Sequence, residues 1–391
     1  MEKFEDSVVI SGIGQSEVGR CLERSPLSLT LDATTAALDD AGLSPSQVDG
    51  LAAYPGGGTS LGPGFAGPSL TEVGDAMGLQ VELIMGGFEG PAQLGPILNA
   101  CLAIHSGLAR HVLVYRTVTE GSARAAAKAG RVGDAPAART NSWITAFGSG
   151  PAPIGYALLA RRHFHEYGTS REQLAQIALT ARRHAALNPK AILRDPLSLP
   201  EYLGARMVAD PLCLYDCDIY CDGSTALVLS HAAYGADAPG VPIRIEAMGV
   251  APTAESSYAW HSDLQPGRRA ARQMWNRTDL VPSDVDVAGL YDGFSILTLL
   301  WLEALGFCSR GESGAFVEGG KRIRLGGDLP INTNGGQLSG GRLHGLGFVH
   351  EMCIQLRGQG QGRQVDGAGI AAVSVGALPY VGCMLMRAAG A

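Results

Sequence analysis

Asn332-Thr-Asn-Gly-Gly-Gln-Leu-Ser-Gly-Gly-Arg-Leu-His-Gly-Leu-Gly347 sets six glycines, Arg342 and His344 directly ahead of an apolar run that begins at Phe348. Glycine lets backbone approach a ligand closely, and a loop that opens a helix turns free N–H groups toward whatever lies at that terminus. Long connections inside compact domains are uncommon unless they carry function, so this stretch is expected to be an active-site loop. Gly335, Gly336 and Gly345 are its candidate backbone contacts, and Arg342 and His344 its candidate polar ones.

Outward from this loop the chain repeats itself. Leu43 to Gly56 aligns with Leu280 to Gly293 at one constant offset, matching Pro45 to Pro282, Ser46 to Ser283, Val48 to Val285, Asp49 to Asp286, Tyr54 to Tyr291 and Gly56 to Gly293. A second echo sets Met85-Gly86-Gly87-Phe88-Glu89-Gly90, the apolar run Ile97 to Ile104 and the strand-like Val112 to Tyr115 against the Gly335-Gly336 loop, its following helix and the strand-like Ile370 to Val375. Two ordered pairs of echoes predict a duplicated α/β protein, with halves 1–238 and 239–391 and an insertion at about 117–212 in the first. Within the insertion, Ser122 to Gly133 reads as a mobile surface loop. Thr169-Ser170-Arg171-Glu172 has the spacing of a capping box and opens a helix from Gln173 to Ala186. His163, His165 and His184 read as a solvated helix face. Ser28 to Ala41 has helical periodicity and stops at Gly42. Gly12-Ile13-Gly14 lacks the third glycine and following helix of a dinucleotide loop.

The bulk properties narrow the function classes. A chain of 391 residues is long for one core, so two domains are expected. A net charge of −7 without charge runs argues against a nucleic-acid partner. No run approaches the roughly 18 apolar residues of a membrane span. The N-terminus has no apolar signal region and the eight cysteines are scattered, so a reduced, cytoplasmic protein is expected. Cys213, Cys217 and Cys221 fit no zinc spacing, and no metal is expected.

Met207-Val208-Ala209-Asp210-Pro211-Leu212, Cys217, Asp222-Gly223-Ser224-Thr225-Ala226, Tyr291-Asp292-Gly293-Phe294 and the glycine-rich loop, carried on a duplicated α/β frame, together resemble the thiolase superfamily. The similarity is to its sterol-carrier or lipid-transfer branch. It implies a thiolase-like five-layer αβαβα fold of two duplicated halves, a homodimer, and CoA as part of the substrate with no separate cofactor. The family's acyl-carrying cysteine falls near Gly86 to Gly90, where this chain has none. Tyr291 stands in its asparagine or histidine position, Arg342 near its Gly-His-Pro histidine, and Ser374 near its second cysteine. Without a thiolate no thioester intermediate forms, and Claisen-type acyl transfer loses its nucleophile.

These departures are similar to those of thiolase-like aldolases that cleave steroid side chains from CoA thioesters. The resemblance implies retro-aldol cleavage of a β-hydroxyacyl-CoA, with Tyr291 taking the hydroxyl proton and Asp292 or His344 tuning it. Backbone amides around Gly335 to Gly345 would hold the enolate oxygen, with Arg342 beside them, and Gly86, Gly87 and Ser374 would contact substrate or CoA. It also implies a small OB-fold acyl-CoA-associated partner subunit. Trp260-His261, near Gln265-Pro266-Gly267, is a candidate lining of the acyl pocket. Two other classes stand beside this one: an acyltransferase with a different nucleophile, and a noncatalytic acyl-CoA carrier.

Overall fold

The computed structural model describes residues 3–56, 62–87, 92–130, 152–235, 238–251, 264–377 and 380–388. Trp260, His261 and the Phe88 to Gly90 stretch lie outside the described residues. The strands are β1 (Val8–Gln15), β2 (Gly50–Ala53), β3 (Leu83–Gly86), β4 (His111–Thr119), β5 (Met207–Ala209), β6 (Leu212–Cys213), β7 (Asp222–His231), β8 (Ile243–Val250), β9 (Val287–Gly289), β10 (Ile370–Ala377) and β11 (Tyr380–Ala388). β5 and β6 form a separate ribbon; the rest run β3-β2-β4-β7-β1-β8-β11-β10-β9.

That order is one pattern used twice. In the first half β2 is parallel to β3 and β4, β4 is antiparallel to β7, and β7 to β1. In the second, β9 is parallel to β10, β10 antiparallel to β11, and β11 to β8, while Ile331 makes a parallel bridge to Ala288 where β3 sits beside β2. Among the described residues the strand pairings Val9↔Arg244 and Ile10↔Ile243 join the five strands of the first pattern to the four of the second. The repeated aspartate has the same task in both halves. Asp49 accepts the backbone N–H groups of Arg110 and His111 at the start of β4, and Asp286 those of Gly369 and Ile370 at the start of β10.

Helix Pro26–Ala41 covers the outer face of the first sheet. Ser25 caps it, Pro26 takes the first helical position, and Gly42 closes it at φ 69°. Its small stripe lets β1 lie close: a Cβ at Gly12 would stand 2.2 Å from the Ala37 carbonyl oxygen, so these glycines serve packing. Helices Gly95–His105 and Gly345–Leu356 fill the middle layer, the latter touching β9 and β10 on one side and β7 and β1 on the other. Helix Gln265–Trp275 covers β8 and β11 outside. The result is the five-layer αβαβα arrangement, which explains why all nine residues of β4 are buried.

The excursion between β4 and β7 departs from its sequence reading in three ways. Residues Glu120–Lys128 form a helix, because an alanine-rich run anchored at its start has every reason to be helical. The capping box is Ser170 with Gln173, one residue later than expected, since the Thr169 hydroxyl instead meets His163 at 2.9 Å. His163 and His184 are buried: the first pairs with Glu303 at 2.9 Å, and the second lies 3.0 Å from the Ile331 carbonyl and accepts the Leu325 N–H. Among the described residues no helix is long and apolar enough to cross a membrane.

Candidate active site

A cavity of about 850 Å³ opens between the Glu120–Lys128 helix, the Ala152–Tyr167 helix, the segment after β6 and the loop after β9. Such a volume lies in the range of ligand clefts, roughly 300–1,000 Å³. Tyr291, Gly293, Asp218 and Arg342 form its polar wall; Tyr156, Phe294 and Leu297 form an apolar one, with the first two rings stacked at 4.4 Å. Arg20, Arg124, Lys128 and Arg206 also line it. Asp222 builds part of that side, accepting the N–H groups of Leu22 and Ser122 and so tying the 20–22 segment to the start of the helix.

Each polar group reaches the wall by its own route. β9 ends at Gly289, and the Tyr291 N–H is taken up by the Ser374 hydroxyl of β10 at 3.1 Å. Asp218 arrives from the other half, where its N–H donates to the Gly293 carbonyl at 3.1 Å beside a Cys217↔Phe294 bridge. Arg342 leaves the glycine-rich loop with its N–H on the Ile219 carbonyl. Its guanidinium stands 3.5 Å from both carboxylate oxygens of Asp218, 3.3 Å from Glu120, and over the Tyr220 ring.

These charges sit in a poorly solvated place, which sets their protonation. Burial pushes Asp218 up to about 6, against the pull of Arg342 and with the help of Glu120. Burial likewise raises Tyr291 to about 12, Arg342 opposing and Asp218 adding to the rise. Burial works against the Arg342 cation, but Asp218 and Glu120 together hold it above its ordinary value. Burial raises Glu120 against Arg342 and Arg116. At neutral pH the wall therefore presents a phenol, a carboxylate and a guanidinium.

The other residues expected in the site are nearby but not on the cavity wall. His344 is 3% exposed, lies behind Arg342 with 3.3 Å between Nε2 and the guanidinium Nε, and takes φ 62° at the start of helix Gly345–Leu356. Burial, Arg116 and Arg342 hold its pKa well below the usual value, so it is a neutral imidazole. Asp292 is fully buried; its Oδ1 accepts the Gln337 N–H at 2.8 Å, and burial pushes it up to about 7. The Gly335 and Gly336 amides are already used, donating to the Asn332 carbonyl and the Asn334 side chain. An enolate hole built on those two N–H groups is therefore not what the loop offers. Its glycines answer to geometry: a Cβ at Gly336 (φ 58°) would fall 1.9 Å from Asp292 Oδ2, and one at Gly345 2.6 Å from Val375. Gly86 ends the edge strand β3 opposite Ala53, with Gly87 following, and neither lines the cavity. Ser374 supports the Tyr291 backbone from beneath.

Asp218, Glu120 and Arg116 went unseen in the sequence. Asp218 had a signal in its place between Cys217 and Asp222, both part of the thiolase-like motif string. Arg116 is 1% exposed, lies over the Tyr54 and Phe65 rings and donates to the Phe65 carbonyl, while its Nε and Nη2 have no hydrogen-bond partner among the described residues. Burial lowers it to about 10. No short-range pattern marks a buried arginine in a strand.

A thiolase-type fold whose cavity wall offers a phenol, a carboxylate and a guanidinium, with no cysteine in the acyl-carrying segment, defines a class. Residues 253–381 match the family model "Thiolase C-terminal domain-like". A steroid side-chain-cleaving aldolase of Thermomonospora curvata is 32% identical, covering 98% of this chain and 99% of that protein. A 17-hydroxy-3-oxo-4-pregnene-20-carboxyl-CoA lyase of Mycobacterium tuberculosis is 35% identical over 89% and 91%. The solved Ltp2-ChsH2(DUF35) aldolase superposes with a TM-score of 0.85 at 30% identity, covering 98% of each chain. The chain belongs to the thiolase superfamily, in its thiolase-like aldolase branch, and is a carbon–carbon lyase.

Proposed function

We propose that this lyase cleaves a β-hydroxyacyl-CoA by retro-aldol chemistry, with a steroid side chain as the acyl group, releasing a ketone or aldehyde and a short acyl-CoA. The observation that carries the reading is the convergence of Tyr291 with Arg342 on one wall of a cavity that four basic side chains also line, in a chain of net charge −7. Phosphates of CoA suit that basic side, and the apolar wall of Tyr156, Phe294 and Leu297 suits the acyl group. CoA enters as part of the substrate, and no further cofactor is required. Tyr291 carries a proton and Arg342 stabilises negative charge developing at the thioester oxygen. His344 and Asp292 hold Arg342 and the glycine-rich loop in place.

The acyltransferase alternative needs a thiolate. Cys21 and Cys217 line the cavity, and burial, with Asp218 and Asp216 nearby, pushes Cys217 up to about 12, which leaves it a thiol. Incubation with a panel of β-hydroxyacyl-CoA thioesters, followed by mass spectrometry of products and of intact protein, tests the reading. Paired carbonyl and short acyl-CoA products on an unmodified chain are expected; a stable acyl adduct on a cysteine would overturn it.

The same reading takes 1–238 and 239–391 as the two thiolase-like halves and places a cytoplasmic homodimer beside a small OB-fold acyl-CoA-associated subunit. The solved aldolase similar in structure is an Ltp2-ChsH2(DUF35) aldolase, named for two components, in keeping with such a partner. Light scattering of the chain alone and after co-expression tests the assembly.

A further inference from the structure

Retro-aldol cleavage moves two protons at two different atoms. One leaves the β-oxygen as the carbon–carbon bond breaks, and another arrives at the α-carbon of the enolate. A single phenol serves both only if it reaches both atoms in turn. The cavity wall holds a second group in the right place. Asp218 lines the cavity beside Tyr291, with its side chain 9% exposed. A Cβ at Gly293 would lie 3.1 Å from Tyr291 Cε1 and 3.5 Å from Asp218 Oδ2, so phenol and carboxylate flank the same glycine. The Asp218–Arg342 contacts are long, at 3.5 Å, and leave the carboxylate free to turn toward a substrate hydroxyl; such contacts often tighten only once substrate is bound.

We propose that the two transfers are divided between these residues: Asp218 takes the β-hydroxyl proton, Tyr291 delivers a proton to the α-carbon, and Arg342 holds the enolate oxygen between them. The inference rests on the retro-aldol reading above. The O–H bond electrons become the second C–O bond of the carbonyl product, the carbon–carbon bond electrons become the enolate, and the Tyr291 O–H proton completes the short acyl-CoA. Asp218 then releases its proton to solvent through the cavity and the Tyr291 phenolate takes one back from solvent, so protons balance over one turnover and no oxidant or co-reactant enters.

Protonation states at neutral pH match this division. Asp218, held at about 6, is mostly carboxylate, and Tyr291, held at about 12, is phenol. The charged and titratable groups facing Asp218 are Arg342, Glu120, Tyr291, Asp292, Cys217 and Cys221. Cleavage should accordingly fall as pH drops through about 6.

The test separates the two transfers, using the full chain in the assembly in which it purifies. Cleavage is measured on a β-hydroxyacyl-CoA with a tertiary hydroxyl, and α-proton exchange on propionyl-CoA in D2O. For Asp218→Asn, cleavage kcat should fall about 10²–10⁴-fold with KM nearly unchanged, and the acid limb of the pH profile should disappear, while exchange stays within about threefold of the parent. Retained exchange also shows that the variant is folded. Asp218→Glu should recover part of the cleavage, and Tyr291→Phe should lose both reactions. The division is overturned if Asp218→Asn cleaves within about threefold of the parent, or if it loses exchange together with cleavage. A parent chain that performs neither reaction overturns the retro-aldol reading itself, and the division with it.

Discussion

Tyr291 is held at both ends of its residue. Ser374 accepts its N–H, and its ring meets Phe348 edge-on at 6.3 Å and the Asp218–Arg342 pair at the cavity. Replacing Tyr291 by Phe keeps that packing and removes the transferable proton. Turnover is expected to fall about 10²–10⁴-fold, with KM little changed, in steady-state kinetics on a cleavable thioester. Its candidacy was legible because the Tyr54/Tyr291 repeat makes the two copies comparable and only the second is followed by Asp-Gly-Phe. Asp218 was not legible as its neighbour. The two are 73 positions apart and meet through the bridge of Cys217 to Phe294.

At the scale of elements, the glycine-rich stretch is a π-helical turn, Gly336–Gly340, entered through Gly335 at φ 98° and left through Gly341 at φ 124°. A π-turn in a short loop often accompanies a functional site, and here it is pinned by Asp292. Burial raises the Asp292 pKa from an ordinary carboxylate value to about 7. Below about pH 4 the group is neutral folded or unfolded and costs nothing. Between about 4 and 7 the unfolded chain ionises while the folded one resists, so stability contributed by this residue is lost as pH rises through that window. Asp292→Asn removes the titration. Relative to the parent, it should gain up to about 4 kcal/mol between pH 4 and 7.5 in urea unfolding, while losing turnover if the carboxylate also holds the turn in its active shape. The sequence pointed to this loop through its glycine density. Which N–H groups remained free could not be read there, because Asn332 and Asn334 compete for them only in the folded turn.

Over the whole molecule, guanidinium–carboxylate contacts cross between the two halves away from the cavity as well as at it. Glu5 receives Arg277 and also accepts the Met248 N–H. Arg357, which caps the C-terminus of the middle-layer helix Gly345–Leu356, pairs with Asp40 at 2.6 Å and donates to the Ser11 and Val241 carbonyls. Its side chain is 1% exposed and Asp40 28%. Arg357→Ala strands a carboxylate and two carbonyls at this junction. It should cost roughly 2–4 kcal/mol in denaturant unfolding, below the range for a wholly buried pair because Asp40 reaches solvent. Arg357 does not line the cavity, so kcat measured well below the transition should stay near that of the parent.

By itself the sequence carried the duplication, the lack of a cysteine at Gly86 to Gly90 and the motif strings whose resemblance to the thiolase superfamily implies the αβαβα fold, and it put forward Tyr291 and the glycine-rich loop as site candidates. All of these are short-range patterns: turn residues at fixed offsets, apolar periodicity, and presence or absence of one side chain. Tertiary structure alone decided that residues 120, 218, 291 and 342 share one charged cluster, that His344 stands behind Arg342 as a neutral base, and that His163 and His184 are buried. It also decided that the alanine-rich run after β4 is a helix at the cavity. Proximity across such sequence distances depends on strand order and on which strands meet. Burial, which sets each of these protonation states, is a property of everything packed around a residue rather than of its neighbours in the chain.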